Sequence, residues 1–347
     1  MVWQLHYLYK KEPALRALIA RSLGAAAHFE VVDSRERLQE VAQELHIRVP
    51  QRSRVRSIED LRAWFDHIGG TVVLKRDGTW GGYGVRVARS ITEAAEELTR
   101  MLRPVPWSVT CKRMVVDRDP LALWNKRHEK PTVTLQQFIP GRPANLMMAC
   151  WKGQVLGAVM VEVLWSQGAT GSAMVVRLID HREIAQAACR LAKRLELSGF
   201  HGLDFILDPD SGAAYLIEMN PRCTQLGHLP IVGQGDLAGL LCKELGVPST
   251  STHSRRPVGL TPGETIAFFP KAFSWKPPNG HSMIGYEDLP REDPALMQEL
   301  LKEEWPDRQW QARLYHRIRP RTLPTPTPCD GYEASTISKG DCAKRSR

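Results

Sequence analysis

The chain has 347 residues, 43% hydrophobic and 24% charged, with a formal net charge of +9 at neutral pH. That length buries a sizeable core in one large domain or two modest ones, and the composition excludes disordered and fibrous classes for most of it. No apolar run approaches the roughly 18 residues of a membrane helix, and Gln4 and His6 interrupt the opening where a signal peptide is apolar, so a cytoplasmic protein is expected.

Pro13 to Leu23 has helical apolar spacing and stops at Gly24. A helix from Ser34 to about His46 places Leu38, Val41, Ala42 and Leu45 on one face, with Asp33 as its expected cap and Glu36 three residues on. The stretch HIRVP is a short extended piece closed by Pro50, and Ser57 opens another helix that runs to about His67 and ends at Gly69 and Gly70. Thr71 to Lys75 is a β-branched strand whose partner, Gly84 to Arg89, lies across a glycine loop. Ser90 and Glu93 form a capping box for a helix to Leu102. Residues 104–131 read as irregular, with a short helix near Leu121.

A strand follows at Thr132 to Ile139, then a hairpin from Asn145 to Trp165 turning at Lys152-Gly153. Arg182 to Leu197 is an amphipathic helix. The stretch HGLDFILDPDSGAAYLIEMN is a second hairpin with its turn at 208–212. Asp236 to Leu245 is helical, and ETIAFFP is one more strand. Hairpins mixed with helices give an α+β class and argue against the strict alternation of a complete dinucleotide fold.

Seven cysteines without a C-x-x-C pair read as reduced thiols, which argues against metal ligation by sulfur. From Arg313 onward, eight lysines and arginines face three acids around the stretch RPRTLPTPTP. A solvated basic tail over 320–347, without packed structure, is the expectation. A nucleic-acid binder ranks only third among function classes, since no recognition motif accompanies the charge.

The loop LKRDGTWGGYGV sets Lys75 before Gly78, Gly81, Gly82 and Gly84. Glycines let backbone N–H groups approach phosphate oxygens with no Cβ in the way, and a lysine adds a point charge. The Walker pattern is absent, and a protein kinase has the opposite order of glycines and lysine. Taken alone, the loop is equally well a glycine-rich hairpin with an exposed lysine.

The stretch LIEMNPR is more telling. Glu218 and Asn220 stand two apart on a strand and share a face. Leu203, Phe205 and Leu207 on the preceding strand turn to the core, which sends Asp204 to the opposite side. Two carboxylates and an amide oxygen repel one another unless a cation joins them, and hard oxygen donors suit Mg²⁺ carried with a nucleotide. The bland alternative is a pair of acids on a solvent-facing sheet edge.

Together, VVLKRDGTWGGYGV, LQQFIPGRPAN and GLDFIL…LIEMNPR resemble the ATP-grasp superfamily over roughly residues 34–245. The resemblance implies two α+β subdomains whose antiparallel sheets grip a nucleotide. It implies that Lys75 contacts the nucleotide, that Gly78, Gly81, Gly82 and Gly84 close over the phosphates, and that Gln136, Gln137, Phe138 and Ile139 lie along adenine, Gln137 and Ile139 partly by backbone groups. Asp204, Glu218 and Asn220 would hold Mg²⁺ (Mn²⁺ as a substitute), with Arg222 and Lys75 as catalytic cations. Arg35 stands at the family's earlier ATP lysine and keeps the charge as a planar fork. The acid that commonly meets ribose falls on Pro143, where Asn145 is a substitute or else a structural asparagine in a loop.

The implied organisation is a remnant of an N-terminal domain or a helical lead-in at 1–33, an ATP-grasp domain at 34–250, and a C-terminal extension at 251–319 ahead of the tail. Within the domain, the glycine-lid part covers about 60–130 and the metal-hairpin part about 140–250. Members of the family usually carry a Rossmann-like domain first, so a partner chain supplying it is one expectation and a homodimer another. The implied activity is an ATP- and Mg²⁺-dependent ligase acting on small carboxylates and amines, with an ATP-binding module lacking its own catalysis as the alternative. His201 near the metal, Arg177 on a phosphate or acceptor, and a reactive Cys223 are weaker candidates, each weighed against a structural or surface role.

Overall fold

The computed structural model describes residues 2–76, 84–116, 118–119, 122–127, 132–168, 171–231, 235–247, 260–273, 285–302, 310–318 and 325–329. Four helices open the chain, α1 (Val2–Lys11), α2 (Arg16–Leu23), α3 (Phe29–Asp33) and α4 (Arg35–Glu44). The first of these had no clear sequence signal. It forms over Phe29, which is wholly buried, with the rings of His6 and Tyr9 edge-on at 5.6 and 5.4 Å. Burying such a ring contributes about 1.5–3 kcal/mol. Ser34, not Asp33, caps α4: its side chain accepts from the Arg37 N–H.

A small sheet follows, made of β1 (Arg52–Val55), β2 (Val72–Arg76), β3 (Val85–Ala88) and β4 (Val133–Gln137) in the antiparallel order β1-β4-β2-β3. Helices α5 (Ile58–His67) and α6 (Ile91–Leu102) pack on it through Leu61, Trp64, Leu98, Leu74 and Leu135. A full capping box, Ser57 with Asp60, starts α5. At α6 the box is displaced: Ser90 accepts from the Glu93 N–H, but Glu93 reaches back to the Arg89 N–H. Residues 104–131, expected to be mostly irregular, hold α7 (Trp107–Val115) and α8 (Ala122–Arg127).

The large sheet contains β5 (Arg142–Trp151), β6 (Gln154–Gln167), β7 (Ala173–Leu178), β8 (Gly199–Leu207) and β9 (Ala214–Asn220), with α9 (Arg182–Arg194) between β7 and β8. After it come α10 (Leu237–Glu244), β10 (Thr265–Phe268), β11 (Tyr286–Asp288), α11 (Pro294–Leu301), α12 (Trp310–Ile318) and β12 (Pro326–Pro328). The sheet order is β11-β10-β7-β6-β5-β8-β9, antiparallel except for the parallel β10–β11 pair. The β5–β6 hairpin turns at Lys152 and Gly153, both with positive φ, as a two-residue turn requires. The proline-rich stretch expected to lie outside packed structure instead supplies β12, which pairs with Trp165–Gln167 of β6; Cys329 donates its N–H to Leu164 and is buried. The rest of that tail lies outside the described residues.

Alternation along β5 divides two cores. Leu146 and Met148 turn toward α3, α4 and α9, while Met147 and Ala149 turn toward Leu229, Leu237 and Ile266. The N-terminal helices are fastened to this sheet by backbone contact. Gly24 (φ +105°) lies against Glu196 and Leu197, and Gly199 (φ +84°) against Ser22; a Cβ on either would come within 2.4 Å of a carbonyl oxygen. Gly199→Ala is therefore expected to destabilise the chain by about 3 kcal/mol, from left-handed strain and a clash that no rotamer relieves. Urea unfolding of the variant checks it; an unchanged midpoint would show that the two segments part without cost.

Candidate active site

The β8–β9 hairpin sets Asp204 opposite Glu218, and β5 sets Asn145 opposite Asp204, so the three side chains form one row across adjacent strands. Asn220 shares that face from the next row, where Gly202 makes room: a Cβ there would stand 2.8 Å from Thr224. Asn145 donates to one Asp204 oxygen at 2.6 Å and Asn220 to the other at 2.9 Å. Burial first, and then the Glu218 charge, push Asp204 well above the usual carboxylate range, with the two amides pulling the other way.

The opposing cations come from elsewhere. Arg35, the first residue of α4, donates to Glu218 at 2.8 Å. Arg52 spans the two sheets: its Nε donates to the Gln136 side chain at 3.0 Å and its Nη2 to the Ile217 carbonyl at 2.5 Å. Lys75, on β2, faces the same cleft as Glu218. Burial, and next the Arg52 guanidinium, lower its pKa to about 7, against the opposing pull of Glu218. No described residue forms a hydrogen bond or ion pair with its ammonium. The cleft has a volume of about 1240 Å³, and Arg35, Arg52, Lys75, Glu218, Asn220 and Arg222 are among the residues that line it.

Of the expected site residues, the structure thus brings Arg35, Lys75, Asp204, Glu218, Asn220 and Arg222 to one region. Gly78, Gly81 and Gly82 lie outside the described residues, and Gly84 is held at the loop's exit, its carbonyl accepting from the Arg76 N–H. Gln136 is buried and engaged by Arg52. The backbone donor expected of Gln137 is already spent on the Gln51 carbonyl, and the Phe138 N–H points to Thr71, because β4 pairs on both sides. Ile139 follows directly after this stretch.

Three weaker candidates leave the site. His201 is in register with Met148, on the opposite face from Asp204; it is buried, bonded to the Ser198 carbonyl, and pushed down to about 4 by that burial. Arg177 pairs with Glu162, which stands opposite Ala144 and so also on the far face. Cys223 is exposed, and partial burial raises its thiol despite Arg222, the opposite of what a reactive thiol needs. Asn145 is a strand residue beside Asp204, not a loop asparagine. Arg52 had no sequence signal at all; Asn145 had one, a polar side chain inside an apolar strand.

Two antiparallel sheets closing on a cleft, within a mixed helix-and-sheet chain, define an α+β grip. The chain belongs to the ATP-grasp family: residues 34–225, more than half of it, match the model of the ATP-grasp domain. It is 24% identical over 246 residues to the N-terminal section of the carbamoyl phosphate synthase large chain of Aquifex aeolicus, covering 68% of this chain and 38% of that one. Its fold is similar to the biotin carboxylase domain of Hydrogenobacter thermophilus 2-oxoglutarate carboxylase, whose structure contains MgADP, ADP and bicarbonate (TM-score 0.50, 18% identity, 70% of this chain and 52% of that one). It is likewise similar to carboxyaminoimidazole ribonucleotide synthase from Aspergillus clavatus complexed with ATP (TM-score 0.50, 16% identity, 70% and 58%). The chain therefore spans less than two thirds of each of these relatives. No described helix is long and apolar enough to cross a membrane.

The donor set fits a hard divalent cation: two carboxylates in register and an amide, with one carboxylate raised by burial and by the charge of the other. Lys75 gives a stability test. Its proton leaves near pH 7 in the fold but near the ordinary 10.5 in the unfolded chain, so its contribution to stability rises between those values and its burial penalty is full below 7. Each tenfold displacement of that equilibrium is worth about 1.4 kcal/mol. Lys75→Met should raise the unfolding temperature of the ligand-free chain more at about pH 6 than at about pH 10. Equal gains at both values, by calorimetry, would mean that the ammonium is as well solvated in the cleft as in water.

Proposed function

We propose that the chain is an ATP- and Mg²⁺-dependent ligase that activates a carboxylate as an acyl phosphate for attack by an amine. The observation that carries this reading is the register pair of Asp204 with Glu218, of which Glu218 lines the same cleft as Lys75, an ammonium with no ion pair to any described residue. Bound Mg²⁺ would neutralise phosphate oxygens, held by Asp204, Glu218 and the Asn220 carbonyl oxygen. Lys75 and Arg35 would meet the remaining phosphate charge, and Arg222 the oxyanion that develops on the acyl carbon. Gln136 to Ile139 would lie along the base, with Gln137 contributing other than through its N–H. The glycines of 78–84 would cover the phosphates.

Bond by bond, a carboxylate oxygen attacks the γ-phosphorus, the bond to the β,γ-bridging oxygen breaks, and ADP leaves. The amine nitrogen then attacks the acyl carbon, inorganic phosphate departs with the bonding pair, and the nitrogen gives a proton to solvent. Neither step needs a covalent bond to the protein; positioning and charge supply the rate.

The test is ADP release in the presence of small acids and amines, beginning with bicarbonate, the anion present in the biotin carboxylase relative. Oxygen-18 in the acid should appear in released phosphate. Glu218→Ala should lower kcat on the order of a hundredfold or more. ATP binding without turnover across the panel would instead make the chain a nucleotide-binding module that depends on a partner.

Lys75 also sets a pH dependence. Phosphate favours its charged form, so binding takes up a proton above about pH 7 and affinity falls as pH rises, by as much as tenfold per pH unit. Titration calorimetry in buffers of different ionisation enthalpy should detect that proton in the wild type and not in Lys75→Met. Equal proton uptake by both proteins would place the titrating group elsewhere.

A further inference from the structure

We propose that Asn145 is a positioning residue for the metal site: its amide fixes the carboxylate plane of Asp204 from the neighbouring strand. The proposal rests on the reading of Asp204, Glu218 and Asn220 as metal ligands, and adds a residue that belongs to neither the acid pair nor the phosphate cations.

The geometry is specific. Asn145 stands directly opposite Asp204 in the β5–β8 register, and Asp204 directly opposite Glu218 in the β8–β9 register. Beyond Asn145 the same row continues into Val161 on β6, and two residues along β5 the same face presents Met147, both buried and apolar. A valine or leucine at 145 would match those neighbours. The asparagine instead sends Nδ2 to Asp204 Oδ1 at 2.6 Å, while Asn220 reaches Oδ2 at 2.9 Å.

Two amides, one on each oxygen, hold the carboxylate against rotation about its last bond. They do not act alike. Asn220 is itself read as a ligand, and with its Nδ2 given to Asp204 its carbonyl oxygen is the atom left for an ion. Asn145 comes from a strand that carries no other proposed ligand, so its amide serves Asp204. A donor of this kind also favours the ionised carboxylate, the form a cation takes. Outer partners that orient a ligating carboxylate typically change metal affinity by 10- to 100-fold when removed.

The test titrates the full chain with Mn²⁺ as a spectroscopic probe, read by electron paramagnetic resonance with and without ADP. Asn145→Leu keeps the branched outline of the side chain and removes the donor; Asn145→Ser restores a shorter donor. Asn145→Leu should weaken Mn²⁺ by 10- to 100-fold, leave metal-free ADP affinity within about twofold, and be partly rescued by Asn145→Ser. Wild-type Mn²⁺ affinity in a folded Asn145→Leu protein would overturn the proposal. So would a parallel loss of metal-free ADP binding, which marks a disturbed fold. No Mn²⁺ bound by the wild type at all would overturn the metal-site reading beneath it, a result distinct from either.

Discussion

Two carboxylates placed opposite each other on adjacent strands, and half-buried, are the constraint around which this chain is arranged. Directly opposed like charges destabilise a strand pair, and burial adds to the cost. The β8–β9 hairpin carries Asp204 and Glu218 in that relation all the same. The fold tempers the conflict in three ways: a proton favoured on Asp204, an arginine on Glu218, and amides on both Asp204 oxygens. None of these is the full charge compensation that a divalent ion gives. Facing them, Lys75 carries the mirror-image problem, a buried cation held near the pH at which it loses its charge. Each side of the cleft thus carries a charge that the described residues compensate only in part.

Much of the remaining architecture serves to hold that arrangement still. One face of the large sheet, the hairpin included, is sealed by α3, α4 and α9, and on the other face Leu229 and Leu237 cover Met147 and Ala149 of β5. The extended piece before β1 adds a further restraint, since the Arg48 carbonyl accepts from the Leu216 N–H on the outer edge of β9. The contact of Gly24 and Gly199 with opposing backbone lets α2 lie against the turn into β8 without intervening side chains.

The sequence carried the elements with strong local chemistry. Ser57, Lys152-Gly153 and the Asp208 turn each supply the side chain or glycine that their geometry demands, and each lies where it was read. The acid pair was legible for the same reason: alternation around Leu203 and Phe205 dictates where Asp204 turns. What could not be read depends on partners distant in the chain. Helix α1 exists because Phe29 needs covering, and β12 because β6 has length to spare beyond its neighbours. Arg52 matters through Gln136 and Ile217, 84 and 165 residues away, and no local pattern encodes such a separation. Arg177 and His201 show the opposite case: their chemistry suited the site, but strand parity turns them to the other face, and His201 is the structural histidine weighed against a site role.

The guanidinium of Arg52 has one more consequence. It is anchored at one end within its own sheet, to Gln136, and at the other to main chain next to Glu218. A rocking of the small sheet away from the large one stretches the second bond while leaving the first intact. Arg52 therefore ties the small sheet to the large one at a point one residue from Glu218.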